Sequence, residues 1–283
     1  MPTLAASLVT LLEKRIVRQF KWSLLVAVPA LASLAAASHS TPAADAPRID
    51  PAITAAIDSP DRPEADRKRD EGRRPAIVLQ FFGIRPGMTL IEYYATNGNT
   101  AELLARVVGP TGKVYMQNPP SFYERVGPSG VPSAKLVEDR LANNRLPNVV
   151  RLDKPFDALG LPPQSVDGAV MNLIFHDMFY ATHDNVAAVL ANLYATLKPG
   201  GFVGVVDHAA PAGTGKEYAM NFEGPHRIDE NYAKKMFRDA GFRLVKESNA
   251  LRNPADDRQK PFFAPEMRGK LTDRFMLLFR KPK

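Results

Sequence analysis

From residue 89 onward, short runs rich in β-branched and aromatic residues alternate with longer segments of helical spacing, and few folds satisfy that alternation. Runs at 89–94, 113–117, 149–152, 167–173, 202–207, 242–249 and 274–280 read as strands. Between them, 101–108, 134–141, 185–197 and 230–240 carry apolar residues at helical intervals, as in Leu103, Leu104, Val107 and Val108. Strands that take turns with helices predict a mostly parallel sheet covered on both faces, a doubly wound α/β fold, because a parallel crossover returns the chain through a helix. Gly109-Pro110-Thr111-Gly112 and Lys198-Pro199-Gly200-Gly201 punctuate the pattern as turns. Upstream, 49–57 and 62–82 read as two helices, the second amphipathic and ending at Gly83. The predicted organisation is a linker with N-terminal helices over 38–84 and the sheet domain over 85–283.

The first 37 residues read differently. Lys14, Arg15, Arg18 and Lys21 precede an apolar Ala/Leu-rich stretch over 23–37, with small residues at Ala35, Ala36, Ala37 and Ser38. A charged start, a short apolar core and a small-residue exit predict a cleaved secretory signal over 1–37 and a periplasmic or secreted protein. The stretch is shorter than the roughly 20 apolar residues of a spanning helix, so no stable membrane span is expected after cleavage. Against Glu13, those four cations place +3 of the net charge of +7 in the leader, and +4 remains for the rest.

That modest excess is spread out. The densest cluster, Arg67-Lys68-Arg69 with Arg73-Arg74, is interleaved with Asp66, Asp70 and Glu71 and reads as a solvated helix face, not a nucleic-acid surface. The chain has no cysteine, which excludes disulfides, thiolate nucleophiles and Cys-ligated zinc. Its five histidines are scattered without metal-ligand spacing, and no metal is expected.

In a doubly wound sheet a ligand sits at the carboxyl ends of the strands, near the point where strand order reverses. The first strand runs into Glu92-Tyr93-Tyr94-Ala95-Thr96-Asn97-Gly98-Asn99-Thr100 directly before a helix, where backbone N–H groups and a helix N-terminus face a ligand. His176-Asp177 follows the fourth strand and Asp207-His208 ends the fifth, both at that edge. His176 is placed to accept a proton from a nucleophile with Asp177 orienting it, and His208 is the next candidate; the alternatives are a cap for Asp177 and for Asp207, and plain packing for His176. His226-Arg227 lies in a Gly/Pro loop, as a substrate clamp or as an ordinary surface pair.

An acidic residue on the first strand, a turn and a helix, followed by Ser165-Val166-Asp167-Gly168-Ala169-Val170 and Leu197-Lys198-Pro199-Gly200-Gly201, resembles the class I S-adenosylmethionine (SAM)-dependent methyltransferases. More narrowly, the chain resembles a group of exported bacterial predicted methyltransferases. The segments that carry this are Phe81-Phe82-Gly83-Ile84-Arg85-Pro86-Gly87-Met88, Gly109-Pro110-Thr111-Gly112-Lys113-Val114-Tyr115, His226-Arg227-Ile228, Leu251-Arg252-Asn253-Pro254-Ala255-Asp256-Asp257 and Thr272-Asp273-Arg274-Phe275. The resemblance covers about residues 50 to 281. It implies a seven-stranded Rossmann-like sheet with the last strand antiparallel, SAM over the first two strands, and a small-molecule or cell-envelope methyl acceptor.

Carried over residue by residue, the resemblance implies that Glu92 orders the loop and reaches the SAM amino group through water. Gly98 lets the backbone approach the ligand, and Gln117 with Asn118 meets the ribose hydroxyls. Asp153 lies near the adenine amine, and Asn172 lies beside the transferred methyl. Thr96 and Asn97 stand where relatives tend to have glycine, so either the turn relaxes or SAM affinity falls. Two other functions remain open: a non-catalytic binding protein on the same fold, and a dinucleotide-dependent oxidoreductase. The second lacks its G-x-G-x-x-G loop here.

Overall fold

The computed structural model describes residues 48–127, 130–183, 185–221 and 223–283. The expected signal segment over 1–37 and the linker after it lie outside the described residues. Four short helices come first: α1 (Pro51–Ile57), α2 (Glu64–Arg67), α3 (Asp70–Arg73) and α4 (Pro75–Phe82). The second helix expected over 62–82 is thus three pieces. Pro75 causes the second break, because its ring disfavours the helical region for the preceding residue, and Arg74 sits at φ 49°, ψ 53° between α3 and α4.

The alternation then follows the sequence pattern: β1 (Thr89–Glu92), α5 (Asn99–Val108), β2 (Lys113–Asn118), α6 (Ser133–Leu141), β3 (Val149–Asp153) and β4 (Val166–Asn172). After these come α7 (Phe175–Ala181), α8 (Val186–Thr196), β5 (Leu197–His208), α9 (Glu230–Asp239), β6 (Arg243–Ser248) and β7 (Arg274–Arg280). The seven strands form one sheet in the order β3-β2-β1-β4-β5-β7-β6. Pairs β1–β2, β1–β4, β2–β3 and β4–β5 are parallel, and β7 runs antiparallel to both β5 and β6. The expected doubly wound sheet with an antiparallel last strand is therefore present.

Two local differences have physical reasons. Leu197-Lys198-Pro199-Gly200-Gly201 does not separate helix from strand but begins β5. Leu197 pairs with Val166 and Phe202 with Gly168, across a register shift that accommodates a proline without a ladder N–H. The helix α7 carries too few apolar repeats to stand out in sequence, yet Phe175, His176, Met178 and Phe179 are all buried against the sheet.

The α4 helix is fastened to the sheet by a close approach at Gly204 of β5, where a Cβ would lie 2.6 Å from the Phe82 ring. On the far side, Phe237 of α9 stacks on Phe279 of β7 at 4.3 Å between ring centres. These contacts hold helices on both faces and leave the carboxyl edge of β1, β4 and β5 clear for polar residues.

Candidate functional site

Strand order reverses between β1 and β4, and their crossovers leave the sheet in opposite directions, which opens a crevice at their carboxyl ends. A cavity of about 260 Å³ lies there. Its wall includes Glu92, residues of the loop 94–100, Asn172, Asp177, His208 and Phe262, together with Arg69 and Arg73 from the N-terminal helices. A second cavity of about 340 Å³ lies over the ends of β2 and β3, walled by Pro119, Arg125, Phe156 and Asp157. Tyr94 belongs to both walls.

The loop after β1 keeps its turn at a conformational cost. Tyr94 (φ 46°), Thr96 (φ 52°) and Gly98 (φ 79°) alternate in the left-handed region, which costs a side-chain-bearing residue about 1–2 kcal/mol. The turn has not relaxed around Thr96, and Tyr94 is a second non-glycine residue in that conformation, overlooked in the sequence. Amide side chains hold both. Gln117 Oε1 accepts from the Tyr94 N–H at 2.9 Å and Gln117 Nε2 donates to the Lys154 carbonyl at 2.7 Å. Asn118 grips Thr96 twice, accepting from its N–H at 2.8 Å and donating to its carbonyl at 3.0 Å. Gln117 and Asn118, expected at a ribose diol, are fully buried and bonded to the protein's own backbone.

Gly98 is required by its protein neighbours. A Cβ there would meet Met116 Cε at 2.8 Å and Arg140 Cγ at 3.3 Å, so its missing side chain makes room for β2 and α6. Arg140 donates to the Asn97 carbonyl at 2.8 Å and pairs with Asp66 and Glu102, both at 2.6 Å. Burial resists ionising Glu102, but Arg145, Arg106 and Arg140 overcome it and bring the carboxyl down to about 2. Asp153 accepts from Tyr123 Oη and from Arg151 Nη2 and lies outside both cavity walls.

At the other end of the loop, polar groups are left over. Glu92 is buried, and its Oε2 has no hydrogen-bond partner among the described residues; the same is true of Asn99 Oδ1. Burial pushes the Glu92 carboxyl up to about 8, against the hydrogen bonds of Thr100 and the Ala101 amide and the charges of Arg73 and Arg140. Asn172 donates to Thr100 Oγ1 at 3.0 Å, which steadies that hydroxyl beside Glu92. Arg69 and Arg73 line the same cavity, so the charge cluster over 67–74 is only partly a solvated face: Arg67, Lys68, Arg69 and Arg74 are exposed and Arg73 is half-buried. Burial and the neighbouring Arg69 lower the Arg73 pKa. No local sequence signal marks them, because tertiary packing of α2 and α3 brings them in.

Across the crevice the histidines converge. His176 Nδ1 meets Asp207 Oδ1 at 2.7 Å, and Asp207 Oδ2 accepts from the His176 N–H at 2.8 Å. Asp207 also accepts from the His208 N–H, so it is a buried organiser rather than a loop cap. His176 Nε2 lies 3.1 Å from Asp177 Oδ1, at an angle that makes no hydrogen bond. His226 Nδ1 lies 3.2 Å from the same oxygen. His226 and Arg227, weighed as a surface pair, are buried, and Arg227 pairs with Asp256 at 2.7 Å.

His176 does not suit the proton-accepting role expected of it. Burial alone would lower its pKa, but Asp207 and Asp177 outweigh burial and raise it to about 10. It is therefore already protonated at neutral pH, 1% exposed, and outside the cavity wall. Asp177 lies on that wall and is pushed below the ordinary carboxylate range: burial opposes this, and His176 and His226 prevail. His208 is also on the wall. Burial, with His176 and Arg227 nearby, lowers its pKa well below the ordinary value, so it stays neutral. Its Nδ1 is bonded to Thr272 Oγ1 at 2.6 Å and its ring stacks on Phe262.

No protein-family model matches the sequence, and no curated protein does. Solved structures match the fold. A SAM-dependent methyltransferase from Aquifex aeolicus aligns over 83% of this chain and 100% of its own, at 20% identity and a TM-score of 0.53. A putative sarcosine dimethylglycine methyltransferase from Galdieria sulphuraria aligns over 77% and 88%, at 15% identity and 0.54. The fold is that of the class I methyltransferases. The [4+2]-cyclase SpnF also matches, over 77% and 81% at 17% identity and 0.53. A methyltransferase fold therefore does not by itself fix the chemistry, which has to be argued from the site.

Proposed function

We propose that the chain is a SAM-dependent methyltransferase acting on a small molecule or a cell-envelope component. One observation carries this reading: two buried oxygens without protein partners, Glu92 Oε2 and Asn99 Oδ1, share a cavity wall with the guanidiniums of Arg69 and Arg73. Acceptors and cations around one small space match the ammonium and carboxylate of an amino-acid group, which is the methionine end of SAM. An unmatched buried acceptor costs about 1–3 kcal/mol, and a bound ammonium removes that cost.

When bound, SAM supplies an electrophilic methyl group on a sulfonium sulfur. The residues of this chain hold its amino-acid end, exclude water, and align the acceptor along the wall formed by Asn172 and Asp177. His208, neutral and on that wall, takes the proton of a hydroxyl acceptor. The signal-like leader supports a periplasmic or secreted location. N-terminal sequencing of periplasmic material then starts near Ser38, and recovery of full-length protein only from the cytosol contradicts it.

A second reading has its own support. Tyr94 stands between the two cavities, its ring edge-on to Phe122 at 5.8 Å and Phe156 at 5.5 Å. With Gln117 and Asn118 engaged by the loop, neither amide is left for a ribose diol, which favours a non-catalytic binding protein. Calorimetric titration with SAM, S-adenosylhomocysteine and NAD separates the readings. The methyltransferase reading expects saturable binding of the first two and none of NAD; failure to bind either nucleoside overturns it.

A further inference from the structure

The geometry points to a binding site for one divalent transition-metal ion, held by His176 Nε2, Asp177 Oδ1 and His226 Nδ1. This site does not depend on the cofactor reading, because its ligands lie on the acceptor side of the crevice and its occupancy is measured without SAM.

The three donor atoms lie within 4.8 Å of one another. Two of the separations are known more closely, 3.1 Å and 3.2 Å, both measured to the same carboxylate oxygen. Zinc held at about 2.0–2.1 Å by tetrahedral nitrogen and oxygen donors separates neighbouring donors by roughly 3.3 Å. The cluster therefore already has the span of a ligand set.

The orientation of His176 supplies the second observation. Its Nε2 is buried and lacks a hydrogen-bond partner among the described residues, and an ion bound there displaces the Nε2 proton of the metal-free imidazolium to solvent. Its Nδ1 faces the Asp207 carboxylate at 2.7 Å. A carboxylate behind a ligating imidazole fixes the ring, presents the far nitrogen to the ion and raises its basicity, which is the usual outer layer of a histidine–metal site. Asp207 is itself fixed by the His176 and His208 amides.

His226 is placed with comparable care. It holds φ 51°, in the left-handed region, which costs a non-glycine residue about 1–2 kcal/mol. Its surroundings are the Arg227–Asp256 pair and the Ile228 N–H bonded to the His208 carbonyl at 3.0 Å. Sequence spacing hides the set because His226 lies 49 residues from Asp177.

Two imidazoles and one carboxylate suit borderline ions such as Zn²⁺, Co²⁺, Ni²⁺ or Fe²⁺ rather than Mg²⁺ or Ca²⁺, which prefer oxygen. Because Asp177 also forms part of the 260 Å³ cavity wall, an ion on it lies beside whatever the cavity holds. There it acts as a Lewis acid on an oxygen or sulfur donor.

The test uses the full chain, stripped with a chelator and titrated with Zn²⁺ by calorimetry and with Co²⁺ by visible absorption. The expected result is one equivalent per chain, with the intense d–d bands of a low-coordinate Co²⁺ site. His226→Ala weakens Zn²⁺ binding at least 100-fold, and Asp207→Asn weakens it about 10–100-fold through the outer layer. His183→Ala, at an exposed histidine, leaves the affinity within twofold. Circular dichroism checks that the variants fold, and the wild-type stoichiometry stands even where a variant does not. Absence of saturable Zn²⁺ binding by the wild type, or an unchanged affinity in folded His226→Ala, overturns the site.

Discussion

The two sides of the crevice use buried polar groups in opposite ways. On the β1–β2 side, Gln117 and Asn118 bond the backbone of the loop they border, and their side chains are satisfied by the protein itself. On the β1–β4–β5 side, Glu92, Asn99 and His176 each keep a buried atom without a hydrogen bond. Such atoms are rare in folded proteins because each costs free energy, and the two that belong to residues of the cavity wall, on Glu92 and Asn99, mark where a ligand is anticipated. The first side fixes the shape of the site, and the second supplies its chemistry.

The sharpest way to break this contrast is Asp207→Asn. If the second side is a charged cluster, losing one buried partner leaves the His176 imidazolium uncompensated and costs about 3–5 kcal/mol. Gln117→Ala, on the neutral side, costs less, about 1–3 kcal/mol. Denaturant melts of both variants without metal check this, and equal losses would erase the distinction.

Glu92→Gln probes the leftover carboxylate itself. Charge-assisted bonds to an ammonium are worth about 1.5–3 kcal/mol. A carboxyl that burial pushes up to about 8 must first release its proton, at about 1.4 kcal/mol near pH 7. SAM affinity therefore falls by no more than roughly 15-fold while the fold persists. The same variant changes the pH response. Between 4.5 and about 8 the native state keeps the Glu92 proton while the unfolded chain has released it. Glu92 therefore makes stability fall as pH rises, by up to about 1.4 kcal/mol per unit, while buried neutral His208 contributes a slope of the opposite sign below the ordinary histidine pKa. Between pH 5 and 6.5 the stability of Glu92→Gln relative to wild type should therefore rise with pH in urea titrations. A difference that stays constant with pH places the titration elsewhere.

How much of this was legible in sequence depends on whether a feature is local. The strand and helix alternation is local and is present in the structure, and Glu92 and Asn172, which end strands of that pattern, line the cavity. The constraint that Met116 and Arg140 place on Gly98 is not visible in sequence, because both approach it only after folding. Asp153 is on the anticipated strand end yet turns to Tyr123 and Arg151. The convergence of His226 on Asp177, and of Arg73 on Glu92, depends on packing between segments far apart in the chain, which no spacing rule records. Tyr94 escaped notice because a tyrosine after a strand reads as sheet packing, and only its backbone angle shows it standing in a position suited to glycine.

The smallest expected effect tests that tyrosine. Tyr94→Gly relieves about 1–2 kcal/mol of left-handed strain and removes the partition between the two cavities. It also deletes ring contacts with Phe122 and Phe156 and the bond from Arg125 to its hydroxyl, so net stability changes little or drops. SAM affinity should rise about tenfold. A fall instead would make the ring part of the binding wall and return the two sides of the crevice to equal standing.

The N-terminal helices give the molecule an architectural indivisibility. A fragment cut at residue 85, where the strand pattern begins, keeps all seven strands but loses Arg69 and Arg73 from the cavity and the Phe82 ring from above Gly204. It also loses Asp66, one of the two carboxylates that anchor Arg140 beneath the Asn97 carbonyl. The sheet is thus portable only in appearance. Transplanting another protein's leading helices onto it, or trimming these away, exchanges both arginines of the cavity wall along with them.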